Sequence, residues 1–268
     1  MPKKIKATIY NIIMNQFYLT HLYPQHMSIY GDMGNIITLK RKLKTLGFEV
    51  IYQAVNPTDS LPVKTDFYFM GGGQDADQIM VYQDLLTKKD KLIEDIENFV
   101  PILAICGGYQ LLGQTFVTGL GESIEGIGLF PVITKSLDTK VSNRCIGNII
   151  VELSVEGLEG QKIIGFENHG GQTYINNSNL AKPIGKVLLG YGNNSVEKLE
   201  GCIYKNAIGS YMHGSCLPKN ANLANWLITK AIETKTNLEQ VKYTINYSLI
   251  DDRIANTTQS NLIKRFLV

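Results

Sequence analysis

Along the N-terminal half of the chain, short apolar runs alternate with longer segments of helical spacing. Ile5 to Met14 predicts a strand, and Ile36 to Leu46 carries apolar residues at helical intervals before a terminating Gly47. Phe48 to Tyr52 and Asp66 to Met70 read as strands, and Asp75 to about Asn98 as a helix. Pro101 to Ile105 is a short buried strand that runs into another helix. Alternation of this kind predicts an α/β fold, a mostly parallel sheet flanked by helices.

Beyond about Gly126 the rhythm shortens. Asn148 to Leu153, Lys162 to Phe166, Val187 to Tyr191 and Cys202 to Tyr204 are β-like segments separated by Gly, Asn and Ser. These additional short strands either extend the sheet or add an antiparallel flap. Asn220 to Glu233 predicts a closing helix with the only tryptophan, Trp226, on its apolar side, followed by a polar tail containing Asn246, Asp251, Asp252 and Arg253. No linker or internal repeat divides the chain, so residues 1–235 are expected to form one domain and 236–268 a peripheral segment.

Composition removes several function classes. The 26 basic and 24 acidic residues give a net charge of +2 and form no long block of one sign, so a nucleic-acid partner is not expected. The N-terminus lacks an apolar stretch of signal-peptide length, and no apolar run elsewhere is long enough to span a bilayer, so a cytoplasmic location is expected. The four cysteines, Cys106, Cys145, Cys202 and Cys216, show no CxxC spacing, which predicts reduced thiols and no metal site.

The sharpest chemical signal is Pro101-Ile-Leu-Ala-Ile-Cys-Gly-Gly-Tyr-Gln-Leu-Leu-Gly113, an apolar strand that meets Cys106, two glycines and an amphipathic helix. This is the pattern of a nucleophile elbow. Its sharp turn demands small neighbours, which Gly107 and Gly108 supply, and the following helix N-terminus stabilises negative charge. An arbitrary cysteine is most often buried and inert; the flanking pattern reverses that expectation for Cys106.

A thiol nucleophile needs a proton-transfer partner, and the chain holds four histidines: His21, His26, His169 and His213. His213 follows the strand-like Ala207 to Met212, a placement that faces the same crevice as Cys106. His169, in Gly165-Phe-Glu-Asn-His-Gly-Gly171, competes with it. His21 and His26 lie in a Tyr-rich stretch expected to be a loop, where a surface or hydrogen-bonded structural role is the default. Phe69-Met-Gly-Gly-Gly-Gln74 adds a glycine run at a strand end whose backbone N–H groups suit an oxyanion, an anion or merely a tight turn. It fits neither the phosphate loop nor the dinucleotide fingerprint.

In this order and spacing, the Gly-Gly-Gly strand end, Ile-Cys-Gly-Gly-Tyr-Gln and Tyr-Met-His-Gly resemble the class I (triad-type) glutamine amidotransferases of the cobyric-acid-synthase-like branch. Within it, Tyr30-Gly-Asp-Met-Gly-Asn-Ile36, Gly165 to Gly171, Gly190-Tyr-Gly-Asn-Asn194 and Leu217-Pro-Lys-Asn220 resemble the glutamine-hydrolysing subunits of lipid II isoglutaminyl synthases. The resemblance covers roughly residues 5 to 230 and implies a flavodoxin-like sheet. By it, Cys106 is the nucleophile, His213 the base, and Gly72 and Gly107 the oxyanion donors. Gln110 and Arg144 match positions that hold the glutamine, Arg144 at its α-carboxylate, and Asn168 and His169 line the pocket. Many members carry a glutamate two residues after the histidine; here that residue is Ser215, which leaves a Cys-His dyad whose third partner is missing or comes from elsewhere, with Asp32 and Glu167 as candidates.

The resemblance further implies L-glutamine as substrate and no cofactor in this chain. ATP and Mg are expected in a Mur-ligase-like synthetase partner that amidates D-glutamate of membrane-borne lipid II to D-isoglutamine. The alternatives are a different acceptor such as a corrinoid, a cysteine peptidase of related architecture, and a non-catalytic scaffold subunit.

Overall fold

A computed structural model of the chain describes residues 16–117, 121–136, 144–240, 243 and 245–267. Three strands form the centre of the main sheet: β3 (Phe67–Met70), β4 (Ile102–Ile105) and β14 (Ala207–Ser210). All their residues are buried, which is why these segments read as continuous rather than alternating apolar runs. β1 (Gln16–Leu22) and β2 (Glu49–Val55) continue the sheet on one side and β13 (Cys202–Tyr204) on the other, in the order β13-β14-β4-β3-β1-β2. Every pairing is parallel except β13 with β14. The chain passes outward from β1 to β2 and returns to β3, so its winding reverses beside β1, the place where open α/β sheets gather ligands at their strand C-termini.

Helices flank this sheet. α1 (Met33–Thr45) buries Ile36, Leu39 and Leu43 at helical spacing and ends at Gly47, whose φ of +91° suits the residue after a helix C-cap. The expected helix from Asp75 to Asn98 is two: α2 (Asp75–Thr87) and α3 (Lys89–Glu97), separated at Lys88, whose ammonium pairs with Asp84. α4 (Gly107–Leu111) follows β4 directly. α5 (Cys216–Lys219) leads into α6 (Ala221–Glu239), which buries Leu223, Leu227, Ile228, Ala231 and Ile232, while Trp226 is partly buried and donates its indole N–H to the Glu156 carbonyl.

The short strands do more than extend the sheet. β5 (Thr115–Val117), β6 (Ser123–Glu125), β7 (Val132–Ser136) and β10 (Gly171–Ile175) form one four-stranded sheet, and β8 (Cys145–Leu153), β9 (Lys162–His169), β11 (Gly185–Leu189) and β12 (Leu199–Glu200) a second.

The strand expected from Ile5 to Met14 lies outside the described residues. The Tyr-rich loop expected around His21 is corrected by β1: His21 is fully buried in the main sheet, with its Nδ1 3.0 Å from the Tyr52 hydroxyl, and burial lowers its pKa to about 4. Tyrosine and threonine serve the half-buried pleated surface as readily as a loop, and tertiary pairing decided between them. The polar tail also contains α7 (Arg253–Phe266), which packs beside α5 and β9.

Candidate active site

Cys106 occupies the turn between β4 and α4 with φ 49° and ψ −105°, a strained conformation for a residue with a side chain. Its backbone is tied down on both sides: Cys106 N–H donates to the Ser210 carbonyl at 2.8 Å, and its carbonyl accepts from Gln110 N–H at 3.0 Å. The two glycines after it are required by crowding. A Cβ on Gly107 would stand 2.8 Å from Gln78 Nε2, and one on Gly108 would stand 2.8 Å from the Gly71 carbonyl oxygen. The thiol therefore protrudes at the C-terminal end of a central strand while the glycine loop after β3 approaches closely.

His213 comes to the same end of the sheet from β14. The chain leaves that strand and makes a two-way backbone bridge with Phe166 of β9, with His213 N–H donating to the Phe166 carbonyl at 2.7 Å. The imidazole is fully buried. Gly72 lies between it and the cysteine, since a Cβ there would meet His213 Cε1 at 2.5 Å, Cys106 Cβ at 3.4 Å and His213 Nε2 at 3.4 Å. Glycine at 72 is what lets the two side chains share one space.

Behind the histidine stands Asp32, also fully buried, with its Oδ1 3.5 Å from His213 Nδ1. That distance makes the pairing electrostatic rather than a formed hydrogen bond, and neither imidazole nitrogen has a hydrogen-bond partner among the described residues. The other carboxylate oxygen accepts from Gly72 N–H at 2.8 Å. Burial alone would lower the histidine's pKa, but the negative charge on the Cys106 sulfur and on Asp32 overrides it and raises the value to about 10. Glu167, the alternative third residue, is engaged elsewhere: its carboxylate accepts from Tyr191 N–H and Gly192 N–H at 2.7 and 2.9 Å and approaches His169 Nε2 at 3.8 Å.

Ser215 helps bring Asp32 in. Its hydroxyl donates to the Gly31 carbonyl, and a Cβ on Gly34 would collide with its side chain. At the position where many members of the resembled family carry a glutamate, a small residue fastens the turn that delivers the Asp32 carboxylate.

Gly72 was expected to donate to an oxyanion, yet its N–H is committed to Asp32. The next backbone nitrogen in the loop, that of Gly73, lies 3.0 Å from where a Cβ of Gly107 would be. Gln110 is buried, donating to the Tyr211 hydroxyl at 3.1 Å and accepting from Gln78 Nε2 at 3.2 Å. Arg144 is exposed and grips Asn168, with Nη2 and Nε donating to Asn168 Oδ1 at 3.0 and 3.3 Å. Asn168 and His169 are successive residues of β9 and so point to opposite faces. Asn168 reaches Arg144 and the Tyr30 hydroxyl, whereas His169 is buried, stacked on Tyr211 with ring centroids 3.6 Å apart, its Nδ1 2.7 Å from the Gly171 carbonyl.

Tyr30, Gln78 and Tyr211 complete this constellation without having been named as site residues from the sequence. Tyr30 and Tyr211 had a signal, since they open the Tyr-Gly-Asp-Met-Gly-Asn and Tyr-Met-His-Gly motifs, but Gln78 had none. The arrangement offers a sulfur nucleophile paired with a charged imidazole that has a carboxylate behind it, backbone N–H groups beside the sulfur and a cationic arm at the edge, which together suit acyl transfer from an amide carrying a carboxylate.

Residues 19–221 match the CobB/CobQ-like glutamine amidotransferase domain. The chain is 39% identical over 223 residues to the lipid II isoglutaminyl synthase (glutamine-hydrolyzing) subunit GatD of Staphylococcus aureus (strain N315), covering 83% of this chain and 87% of that protein. It is 42% identical over 221 residues to the subunit of the same name from Streptococcus pneumoniae (strain ATCC BAA-255 / R6), covering 82% of each. With the probable cobyric acid synthase of Methanosphaera stadtmanae it shares 29% identity over 188 residues, 65% of this chain but 37% of that protein.

Proposed function

This chain belongs to the CobB/CobQ-like glutamine amidotransferases, and from that premise we propose that it hydrolyses glutamine to supply ammonia for the amidation of lipid II. The observation that carries the catalytic part is the meeting of Cys106, His213 and Asp32 around Gly72. The acceptor and the partner rest on the similarity to the two GatD subunits.

In the proposed cycle, His213 already holds the proton of Cys106 when glutamine enters, and the sulfur attacks the side-chain amide carbon of glutamine. The tetrahedral oxyanion is met by the N–H groups of Gly107 and Gly73, with Gly72 N–H retained by Asp32. His213 returns the proton to the departing nitrogen, and ammonia leaves. Water, deprotonated by the same imidazole, then splits the thioester and releases glutamate. Asp32 orients the ring by attracting its Nδ1 side, the part a carboxylate plays in a catalytic triad. Arg144, with Asn168, holds the α-carboxylate of glutamine, and Gln110 braces the pocket wall.

Activation of the acceptor carboxylate belongs to a Mur-ligase-like partner that binds ATP and Mg, and the pair works at the cytoplasmic side on membrane-borne lipid II. Among the described residues, no helix is long and apolar enough to cross a membrane. The decisive experiment reconstitutes the chain with an ATP-dependent ligase partner and lipid II. Amidation should proceed with glutamine or with concentrated ammonium, and Cys106→Ala should abolish only the glutamine-dependent route. An assembled Cys106→Ala complex that fails equally with ammonium overturns the division of labour.

A further inference from the structure

The turn from Ile29 to Asp32 touches the glycine loop, His213, Ser215 and Asn168. Ile29 N–H donates to the Gly72 carbonyl at 3.2 Å, Asp32 N–H closes the turn onto the Ile29 carbonyl at 3.1 Å, and the Gly31 carbonyl accepts from Ser215. Tyr30 stands at its tip with φ +53°, a left-handed conformation that is costly for a bulky residue. Core packing does not account for the cost, because Tyr30 is 48% exposed. Its side chain has two specific partners instead.

The Tyr30 ring meets the His213 imidazole at 74°, with centroids 5.0 Å apart. His213 is wholly hidden from solvent while Tyr30 is half exposed, so the tyrosine forms part of the outer cover of the histidine. The Tyr30 hydroxyl accepts from Asn168 Nδ2 at 2.9 Å. That amide can face only one way: Arg144 offers donors alone, so Asn168 Oδ1 must turn to the guanidinium and its Nδ2 to the tyrosine. A continuous chain of contacts therefore runs from the imidazole through Tyr30 and Asn168 to the arginine that reads the substrate carboxylate.

We propose that Tyr30 is a positioning residue that closes the glutamine pocket, its ring covering His213 and its hydroxyl locking Asn168 and Arg144 in the orientation that selects an α-carboxylate. This rests on the glutaminase reading and adds its basis of selectivity. A substrate with an α-carboxylate is held by the locked arm, whereas a small electrophile without one meets the tyrosine only as an obstruction.

The test compares two thiol reagents on the full chain in wild type, Tyr30→Phe and Tyr30→Ala. Diazo-oxonorleucine carries the amino-acid end of glutamine, and iodoacetamide does not. Tyr30→Ala should slow labelling of Cys106 by diazo-oxonorleucine at least about tenfold while speeding its alkylation by iodoacetamide roughly threefold or more. Tyr30→Phe keeps the ring and loses one hydrogen bond, so it should raise the KM for glutamine about three- to tenfold, more than it lowers kcat. Opposite movement of the two reagents is what a merely structural tyrosine does not produce. The proposal is overturned if both reagents slow together or neither changes, or if Tyr30→Phe leaves KM at the wild-type value. A wild type that resists diazo-oxonorleucine overturns the glutaminase assignment instead, because the iodoacetamide comparison reads closure by itself.

Discussion

Burial alone would strip the proton from His213; two negative neighbours return it. The imidazole is protonated below its pKa of about 10 and neutral above it, so the acid that must deliver a proton to departing ammonia is lost on the alkaline side. The alkaline limb of kcat/KM for glutamine is therefore expected near pH 10, read as a property of the Cys-His pair. Asp32→Asn removes one of the charges that raise it, so the limb should move to lower pH; a pH–rate profile that does not move would take Asp32 out of the mechanism. The Asp32 carboxylate also tethers Gly72, and asparagine can keep that contact through its carbonyl, which separates the charge from the tether. At the edge of the site, Arg144→Ala should raise the KM for glutamine by roughly ten- to a hundredfold, the range that follows from ~1.5–3 kcal/mol for charged hydrogen bonds. Steady-state kinetics with an unchanged KM would return Arg144 to the exposed surface.

Individual elements matter here through their ends. β3, β4 and β14 terminate side by side, so the glycine loop, Cys106 and His213 converge although they come from distant parts of the sequence. The elbow and the glycine run were legible beforehand because their signals are local: an apolar strand, a cysteine and small residues. The commitment of Gly72 N–H to Asp32 was not, because a carboxylate on another loop has no periodic relation to the strand it serves. Space at the convergence leaves no room for a side chain at 72. Gly72→Ala places a methyl 2.5 Å from His213 Cε1 and must displace the imidazole, so kcat should fall by about a hundredfold or more, the scale on which ångström-sized misplacement acts. Circular dichroism and thermal melting should be near wild type, since the displaced group is one ring; a Gly72→Ala variant with wild-type kcat would mean that the ring is not held where the structure has it.

Across the whole molecule, the C-terminal segment is joined to the catalytic end rather than trailing from it. Asp252 pairs with Lys42 of α1 and accepts from Asn225 of α6 at 2.8 Å. Gln259 of α7 donates at 2.8 Å to Asn220 Oδ1, and Asn220 also bonds Ile164 of β9 and Cys216 of α5. Those last two elements flank the loop that carries His213. Removing residues 246–268 leaves the buried Lys42 ammonium without its carboxylate, a change that costs several kcal/mol when a buried pair is broken on one side. For a chain of this size, that should lower Tm by roughly 5 °C or more in a calorimetric scan; an unshifted Tm would mean that the segment contributes no stability.

What the sequence by itself determined is what depends on neighbours along the chain. The α/β class, most strands of the main sheet, the elbow at Cys106 and the family resemblance all lie in runs of adjacent residues, where backbone period and small-residue turns leave a direct signature. Tertiary structure decided the rest. It placed His21 in a buried strand instead of a loop, broke the expected Asp75 to Asn98 helix at Lys88, chose Asp32 over Glu167 as the carboxylate nearest the imidazole, and set the Tyr30 ring against His213. Both carboxylates were equally plausible along the chain, because charge acts through space. The Gly72 N–H and the Ser215 tether hold Asp32 at His213, while the Tyr191 and Gly192 N–H groups hold Glu167 away from it.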